Sequence, residues 1–107
     1  MNCSYCVCGN TYYGTTPKYR LDINAGMPMS DFDFDVKLIN GSNHITIEKS
    51  DMPVDSDGYY YLCFDTTDLG IGRVKAVITA YIDDQDYDGG VRREVFVINN
   101  LLYIKEV

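Results

Sequence analysis

The sequence predicts an all-β protein, an immunoglobulin-like antiparallel β-sandwich of about seven strands with an irregular N-terminal arm, and a small barrel is the alternative. Apolar and polar residues alternate over most of residues 19–107, as in strands that bury one face. Gly, Asn and Asp clusters separate these segments, and none has a 3.6-residue period. Because 107 residues leave room for one core, we expect an arm over residues 1–18 and one sandwich domain over residues 19–107.

The first elements follow from this alternation. Residues 1–18 show no steady period and contain Gly9, Gly14 and Pro17, which predicts the irregular arm. A strand follows, in which Tyr19, Leu21 and Ile23 alternate with polar residues. The clearest strand lies over residues 32–38, with apolar residues on one face and Asp or Lys on the other. Its apolar residues are Phe32, Phe34, Val36 and Leu38.

A tight turn is predicted at Asn40-Gly41, since both residues tolerate positive φ. It leads into a short strand that turns Ile45 and Ile47 inward. Residues 58–64 are apolar on both faces, which favours a strand in the middle of a sheet. Residues 65–72 read as a crossing loop whose Leu69 closes the end of the core.

The last third of the chain predicts three more strands. The longest covers residues 73–82, and an acidic hairpin tip over residues 83–90 leads to a strand over residues 91–98. Asn99-Asn100 predicts a turn before a final strand over residues 101–107. The predicted core residues are Phe34, Val36, Leu62, Phe64, Val74, Ala76 and Ile78.

The charge of the chain excludes two classes of partner. A net charge of −7 and a pI near 4.4 argue against nucleic acid and against an anionic membrane surface, which both need a basic face. The first residues have neither the basic nor the apolar region of a signal peptide. We therefore expect synthesis in a reducing cytosol, with no nucleic acid and no membrane among the partners.

Two possible metal sites are considered. Cys3, Cys6 and Cys8 could give zinc three thiolates, but a structural site needs a fourth ligand, so free thiols and no cofactor are predicted. Asp84, Asp86 and Asp88 with the following glycine copy the start of a calcium loop. Position twelve would be a valine and flanking helices are absent, so a plain acidic tip is preferred and calcium is the alternative.

The sequence favours a protein without catalytic activity. Alternate aspartates such as Asp31, Asp33 and Asp35 lie side by side on one wet face, whereas a glycosidase needs two carboxyl groups facing each other across a cleft. His44 is the only histidine, and no nucleophile motif surrounds it.

The tyrosines point to a binding function. Ten tyrosines are too many for one small core, and tyrosine is enriched at protein interfaces. We expect the arm to be mobile alone and to become ordered across a neighbour. The expected interface residues are Tyr5, Val7, Tyr12, Tyr13 and Tyr60. Two alternatives remain, tyrosine hydroxyls that simply reach solvent and a sugar-binding site.

The stretch Gly58-Tyr-Tyr-Tyr-Leu-Cys-Phe-Asp-Thr-Thr-Asp-Leu-Gly-Ile-Gly72 resembles small immunoglobulin-like virion proteins of crass-like Bacteroides phages. The likeness continues through Val74-Lys75-Ala76 and from Tyr81 to Gly89, and covers about residues 30–98. The chain also looks like the N-terminal domain of phage baseplate upper proteins, which have a Gly-x-Tyr-x-x-x-Phe-Asp-Thr strand and a Leu-Gly-x-Gly corner.

The resemblance implies a structural subunit of a tailed-phage virion, assembled in the host cytoplasm. A capsid-associated or head-fibre protein is the first interpretation, and a tail or baseplate subunit is the second. The implied partners are other virion proteins and further copies of this chain. A host-surface adhesin or carbohydrate-binding module is the alternative from a different functional class.

Overall fold

The computed structural model describes residues 9–107, which form seven strands joined by loops and short 3₁₀ turns. The strands are β1 Gly9–Tyr12, β2 Lys18–Leu21, β3 Asp33–Asn40, β4 Asn43–Glu48, β5 Tyr60–Cys63, β6 Gly72–Asp83 and β7 Val91–Lys105. The 3₁₀ turns are Met29–Asp31, Lys49–Asp51, Thr66–Asp68 and Asp88–Gly90. The prediction of an all-β protein is thereby confirmed.

The strands form two sheets. Five of them pair in the order β1-β7-β6-β3-β4, and β2 pairs with β5 in a separate two-stranded sheet. All pairs are antiparallel except β1 with β7, which is parallel. The larger sheet is therefore mixed, and the prediction of a purely antiparallel arrangement is wrong for β1.

One hydrophobic core lies between the two sheets. The alternation of β3 and β6 places every second side chain on the inner face, where Phe34 meets Tyr60 of β5 edge to face at 5.3 Å between ring centroids. All seven predicted core residues are buried, which confirms that prediction. The other buried apolar residues are Leu21, Ile23, Phe32, Leu38, Met52, Tyr60, Leu69, Ala80, Ile82, Leu101, Leu102 and Ile104.

The corner before β6 is held to the β3–β4 hairpin. The predicted tight turn forms one residue later than expected, as the two-residue loop Gly41-Ser42 between Asn40 and Asn43, which pair across the hairpin. The Asn40 amide donates hydrogen bonds to the carbonyls of Leu69, Gly70 and Ile71. Leu69 is fully buried and closes the core as predicted.

Gly72 makes this close contact possible. Its φ is +134°, and a Cβ at this position would lie 2.9 Å from the Asn40 side-chain oxygen. The second glycine of the Leu-Gly-x-Gly corner therefore has both a conformational and a steric cause.

The arm is less irregular than predicted. Residues 9–12 form β1 and pair with residues 102–105 of β7, so a ladder forms that no alternation in the sequence indicated. The segment after it is fixed by the one buried polar side chain of the described chain, Thr66. Its hydroxyl accepts from the Gly14 N–H at 2.8 Å and donates to the Thr15 carbonyl at 3.0 Å.

Two further strands differ from expectation. β2 is the only strand of residues 9–107 that pairs with β5, whose other side makes an isolated bridge between Tyr60 and Val54. β5 is therefore not central in a larger sheet, and its outward side chains form the face described below. The predicted turn at Asn99-Asn100 is a register irregularity inside the single long strand β7. Val74 pairs with Leu102 while Ala76 pairs with Ile98, so the extra residues bulge out of the ladder.

Candidate protein interface

The outer face of the two-stranded sheet presents aromatic and cationic side chains to solvent. In register, Arg20 of β2 pairs with Tyr61 of β5, and Lys18 pairs with Cys63. Tyr59 extends this row one residue before β5. We call this set the tyrosine face. Because β2 and β5 alternate, their other side chains fill the core while these five point outward.

Each cation on the tyrosine face lies over a ring. The Lys18 Nζ is 4.7 Å from the centroid of Tyr61, and the Arg20 guanidinium carbon is 4.4 Å from the centroid of Tyr59. At exposed sites such a contact contributes about 0.5–1 kcal/mol. The two contacts hold both rings and both long side chains in defined positions before any partner arrives.

A carboxylate fixes the hydroxyl end of Tyr61. The Tyr61 hydroxyl donates to Asp55 Oδ2 at 2.8 Å, while Asp55 Oδ1 accepts from the backbone N–H groups of Asp57 and Tyr59. These bonds lower the pKa of Asp55, with the Tyr61 hydroxyl as the largest cause. The same hydrogen bond is the main reason that the pKa of Tyr61 is raised.

The arrangement favours protein binding. Preorganised rings bury a large area at small entropic cost, and tyrosine and arginine are the side chains that dominate binding energy at interfaces. The guanidinium of Arg20 and the ammonium of Lys18 can still donate hydrogen bonds to a carboxylate while lying over the rings. Tyr59 is 39% exposed, so apolar ring surface remains available.

The predicted interface residues fall in three places. Tyr12 and Tyr13 are 55% and 42% exposed at the end of β1, and the Tyr13 N–H donates to the Lys105 carbonyl of β7. They belong to the surface of the folded domain. Tyr5 and Val7 lie outside the described residues.

Tyr60 corrects the interface prediction. Its ring is buried against Phe34, because it is on the inner face of β5, so it offers no surface to a partner. The middle one of the three tyrosines does point away from its neighbours, but it is the one that faces the core, whereas Tyr59 is exposed and Tyr61 is half-buried on the outer face. The alternation of Leu62 and Phe64, both buried, could have identified the inward face.

One aspartate of the acidic tip, Asp84, already has partners within the chain. Asp84 Oδ2 accepts from Arg92 at 3.1 Å, and Asp84 Oδ1 accepts from the Asp86 N–H. A calcium ion would have to compete with the guanidinium for this carboxylate. Over residues 9–107, no group of three or more His, Cys, Asp or Glu side chains is placed to hold a metal ion. Asp86 and Asp88 are exposed at the tip.

Two shallow pockets border the two-stranded sheet. One of about 440 Å³ is lined by Tyr59 with Asp22, Asn24 and Asp57 among its polar residues. The other, of about 580 Å³, includes Lys49, whose ammonium already donates to the carbonyls of Met29, Ser30 and Phe32.

No protein-family model matches the sequence, and no curated protein or solved structure matches it either. In the described part of the chain, no helix has the length and apolar character needed to cross a membrane.

Proposed function

We propose that this chain is a non-catalytic structural subunit of a tailed-phage virion that acts through protein–protein contacts. A capsid-associated or head-fibre position is the first choice, and a tail or baseplate position is the alternative. The observation that best supports a binding function is the tyrosine face, where the exposed ring of Tyr59, the half-buried ring of Tyr61 and two cations are held in place on the outer side of the sheet.

We further propose that the domain is immunoglobulin-like. The strand order supports this proposal, because β7, β6, β3 and β4 follow one another as strands G, F, C and C′ do in variable-type domains. β2 and β5 then take the places of strands B and E in the opposite sheet. The Cys–Trp–Cys signature of antibody domains is absent, so the proposal concerns architecture only.

The phage setting rests on the resemblance of residues 58–72 and of the segments that follow. Their structural roles fit a fold signature: Leu69 closes the core, and Gly72 permits the contact with Asn40. Both residues make contacts within the domain and so are not available to a partner. An interface on the tyrosine face is consistent with this.

The experiment is incorporation into particles. We expect the chain to be present in many copies in purified virions, and the double substitution Tyr59→Ala, Tyr61→Ala to reduce that copy number while the domain stays folded. Tyr87→Ala is the matched control, since Tyr87 is 52% exposed on the acidic tip and lies outside the tyrosine face. Absence of the wild-type chain from purified particles would contradict the proposal.

A carbohydrate-binding function is the second candidate. The pocket beside Tyr59 supports it, since Asp22, Asn24 and Asp57 could accept or donate hydrogen bonds to sugar hydroxyls next to an aromatic ring. Glycan-array binding by the purified domain, lost in Tyr59→Ala and kept in Tyr87→Ala, would favour this function over the structural one.

A further inference from the structure

The two outer edges of the five-stranded sheet differ in how they are protected. β4 is short and carries exposed polar side chains on its outer face, namely His44, Thr46 and Glu48. Polar and charged residues on a short edge strand discourage pairing with another chain. β4 is therefore an edge of the kind that remains unpaired in solution.

The β7 edge has the opposite character. Within residues 9–107, β1 covers β7 only at residues 102–105, which leaves the backbone groups along Val91–Ile98 without a neighbouring strand on that side. We call this segment the open edge. Its eight residues extend for about 26 Å. Val91, Val95 and Val97 are 43%, 52% and 53% exposed on its outer face.

The valines of the open edge continue inward across the sheet. Val97 pairs with Val77 of β6, so an apolar strip on the outer face reaches the edge itself. A long strand edge with exposed apolar side chains is a template for a further strand, which supplies hydrogen bonds along the backbone and apolar contact on one face.

We propose that the open edge pairs antiparallel with the open edge of a second copy of this chain. This deepens the proposed function by naming the surface and the partner of a self-assembly contact. A strand edge is self-complementary about a two-fold axis, so each copy contributes the same surface and the contact closes as a dimer. The two five-stranded sheets then become one continuous sheet.

Charge excludes some registers. Directly opposed residues of two antiparallel strands lie on the same face of the sheet. The two-fold axis therefore passes between one residue and the same residue of the second copy. An axis at Arg93 opposes two arginines and an axis at Glu94 opposes two glutamates, both of which destabilise a pair. An axis at Val95 opposes Val95 to itself, Arg93 to Val97 and Glu94 to Phe96 of the second copy, with no like charges directly opposed.

The ends of the open edge are also complementary in charge. The acidic tip begins where β7 begins, and it contains Asp83, Asp84, Asp86 and Asp88. At the other end, Arg73 and Lys75 line a pocket with Asn99 and Asn100. Antiparallel pairing places the tip of each copy beside the basic end of the other. This charge complementarity favours a second copy of the chain as the partner that occupies the open edge.

The test combines mass with a directed disulfide. We expect sedimentation equilibrium of the full chain to give twice the 12.1 kDa mass of one chain. Val95→Cys, with the four native cysteines changed to Ser, should form a disulfide-linked dimer on oxidation, because opposed residues of antiparallel strands have Cα atoms about 4.5–5.5 Å apart. Val91→Cys, exposed on the same face but away from the axis, is the control and should cross-link far less.

Variants without new thiols give an independent readout. Val95→Lys places two ammonium groups at the axis and should yield a monomer, whereas Thr46→Lys on the β4 edge should leave the dimer intact. A monomeric wild-type chain, or a dimer that survives Val95→Lys, overturns the proposal. Deleting residues 1–8 should leave the dimer unchanged. If the deletion instead turns a monomer into a dimer, the chain's own N-terminal segment is the occupant.

The test of dimerisation through the open edge can fail independently of the test of the virion role. A monomer that is still incorporated into particles would overturn only the self-pairing of the open edge. A dimer with the Val95 cross-link that is absent from particles would overturn only the virion role.

Discussion

The corner over residues 64–72 and the tyrosine face use their polar side chains in opposite ways, although they adjoin in sequence. In the corner, Asp65 accepts from the N–H and hydroxyl of Thr67, and Thr66 is fully buried with both of its hydroxyl bonds made to the segment before β2. On the tyrosine face, Lys18 and Arg20 lie over the rings of Tyr61 and Tyr59 on the outer side of the sheet. The distinctive sequence of the corner therefore reflects hydrogen bonds within the domain. The surface available to partners is instead the one whose polar side chains are not required for the fold.

The largest effect that separates the two regions is expected at Leu69. Leu69→Ala removes a fully buried side chain from the end of the core and leaves a cavity, so we expect a loss of about 2–5 kcal/mol in the free energy of unfolding. Urea denaturation followed by circular dichroism measures this loss. Ile71→Ala is the control in the same corner, since Ile71 is 50% exposed and should change stability by less than about 0.5 kcal/mol.

If Leu69→Ala and Ile71→Ala lower the free energy of unfolding equally, the assignment of Leu69 to the core and Ile71 to the surface is contradicted. The alanine substitutions of Tyr59 and Tyr61 complete the series. If they destabilise the domain as much as Leu69→Ala does, the tyrosine face is part of the folding core and not a surface held for partners.

A smaller effect is expected at Thr66. Thr66→Val keeps the shape of the side chain but leaves the Gly14 N–H without its acceptor, which should cost about 1–3 kcal/mol. The loss should be concentrated in the arm, so the hydrogen exchange of the Gly14 amide should accelerate more than that of amides in β6. Nuclear magnetic resonance exchange measurements resolve the two.

Thr67→Val is the matched control for Thr66→Val. Thr67 is exposed, and the hydroxyl bond that it donates to Asp65 can be replaced by water. An arm amide at Gly14 that exchanges at the same rate in both variants would show that Thr66 does not hold the segment after β1.

Much of the fold could be predicted from alternation alone. The inward faces of β3 and β6 follow directly from period-two patterns. Apolar residues fill one side of each strand, over eight positions in β3 and twelve in β6. Leu69 is predictable as the core's closing residue on other grounds, since it is the only large apolar side chain between Phe64 and Ile71.

The elements that could not be predicted depend on long-range partners. β1 forms because residues 102–105 offer it a ladder, and four residues such as Gly9–Tyr12 contain no sign of this. The bulge in β7 looks like a turn locally, since only the register with β6 shows that the strand continues through Asn99-Asn100. Tyr60 is a different case, because a run of three tyrosines does not itself say which ring faces the core, whereas its alternation with Leu62 and Phe64 does.

The smallest predicted effect concerns the protonation of the tyrosine face. The Tyr61 hydroxyl donates to Asp55, which lowers the pKa of Asp55 below its ordinary 3.8 and raises the pKa of Tyr61 above its ordinary 10.0. A lowered carboxyl pKa contributes stability that is present above the ordinary pKa and is lost as pH falls through the folded-state value. A raised tyrosine pKa contributes stability that is present below the ordinary pKa and is lost as pH rises through the folded-state value.

The hydrogen bond should therefore persist from mildly acidic to mildly alkaline pH and be lost only at the two extremes. Carbon-detected titration of the Asp55 carboxyl measures the acid limit, and ultraviolet titration of Tyr61 measures the alkaline one. In Tyr61→Phe, the pKa of Asp55 should move up toward its ordinary value but stay below it, because the N–H groups of Tyr59 and Asp57 still donate to Oδ1. An Asp55 pKa that does not change in Tyr61→Phe would mean that the hydroxyl is not held in place, and the ring of Tyr61 would then be free to turn when a partner binds.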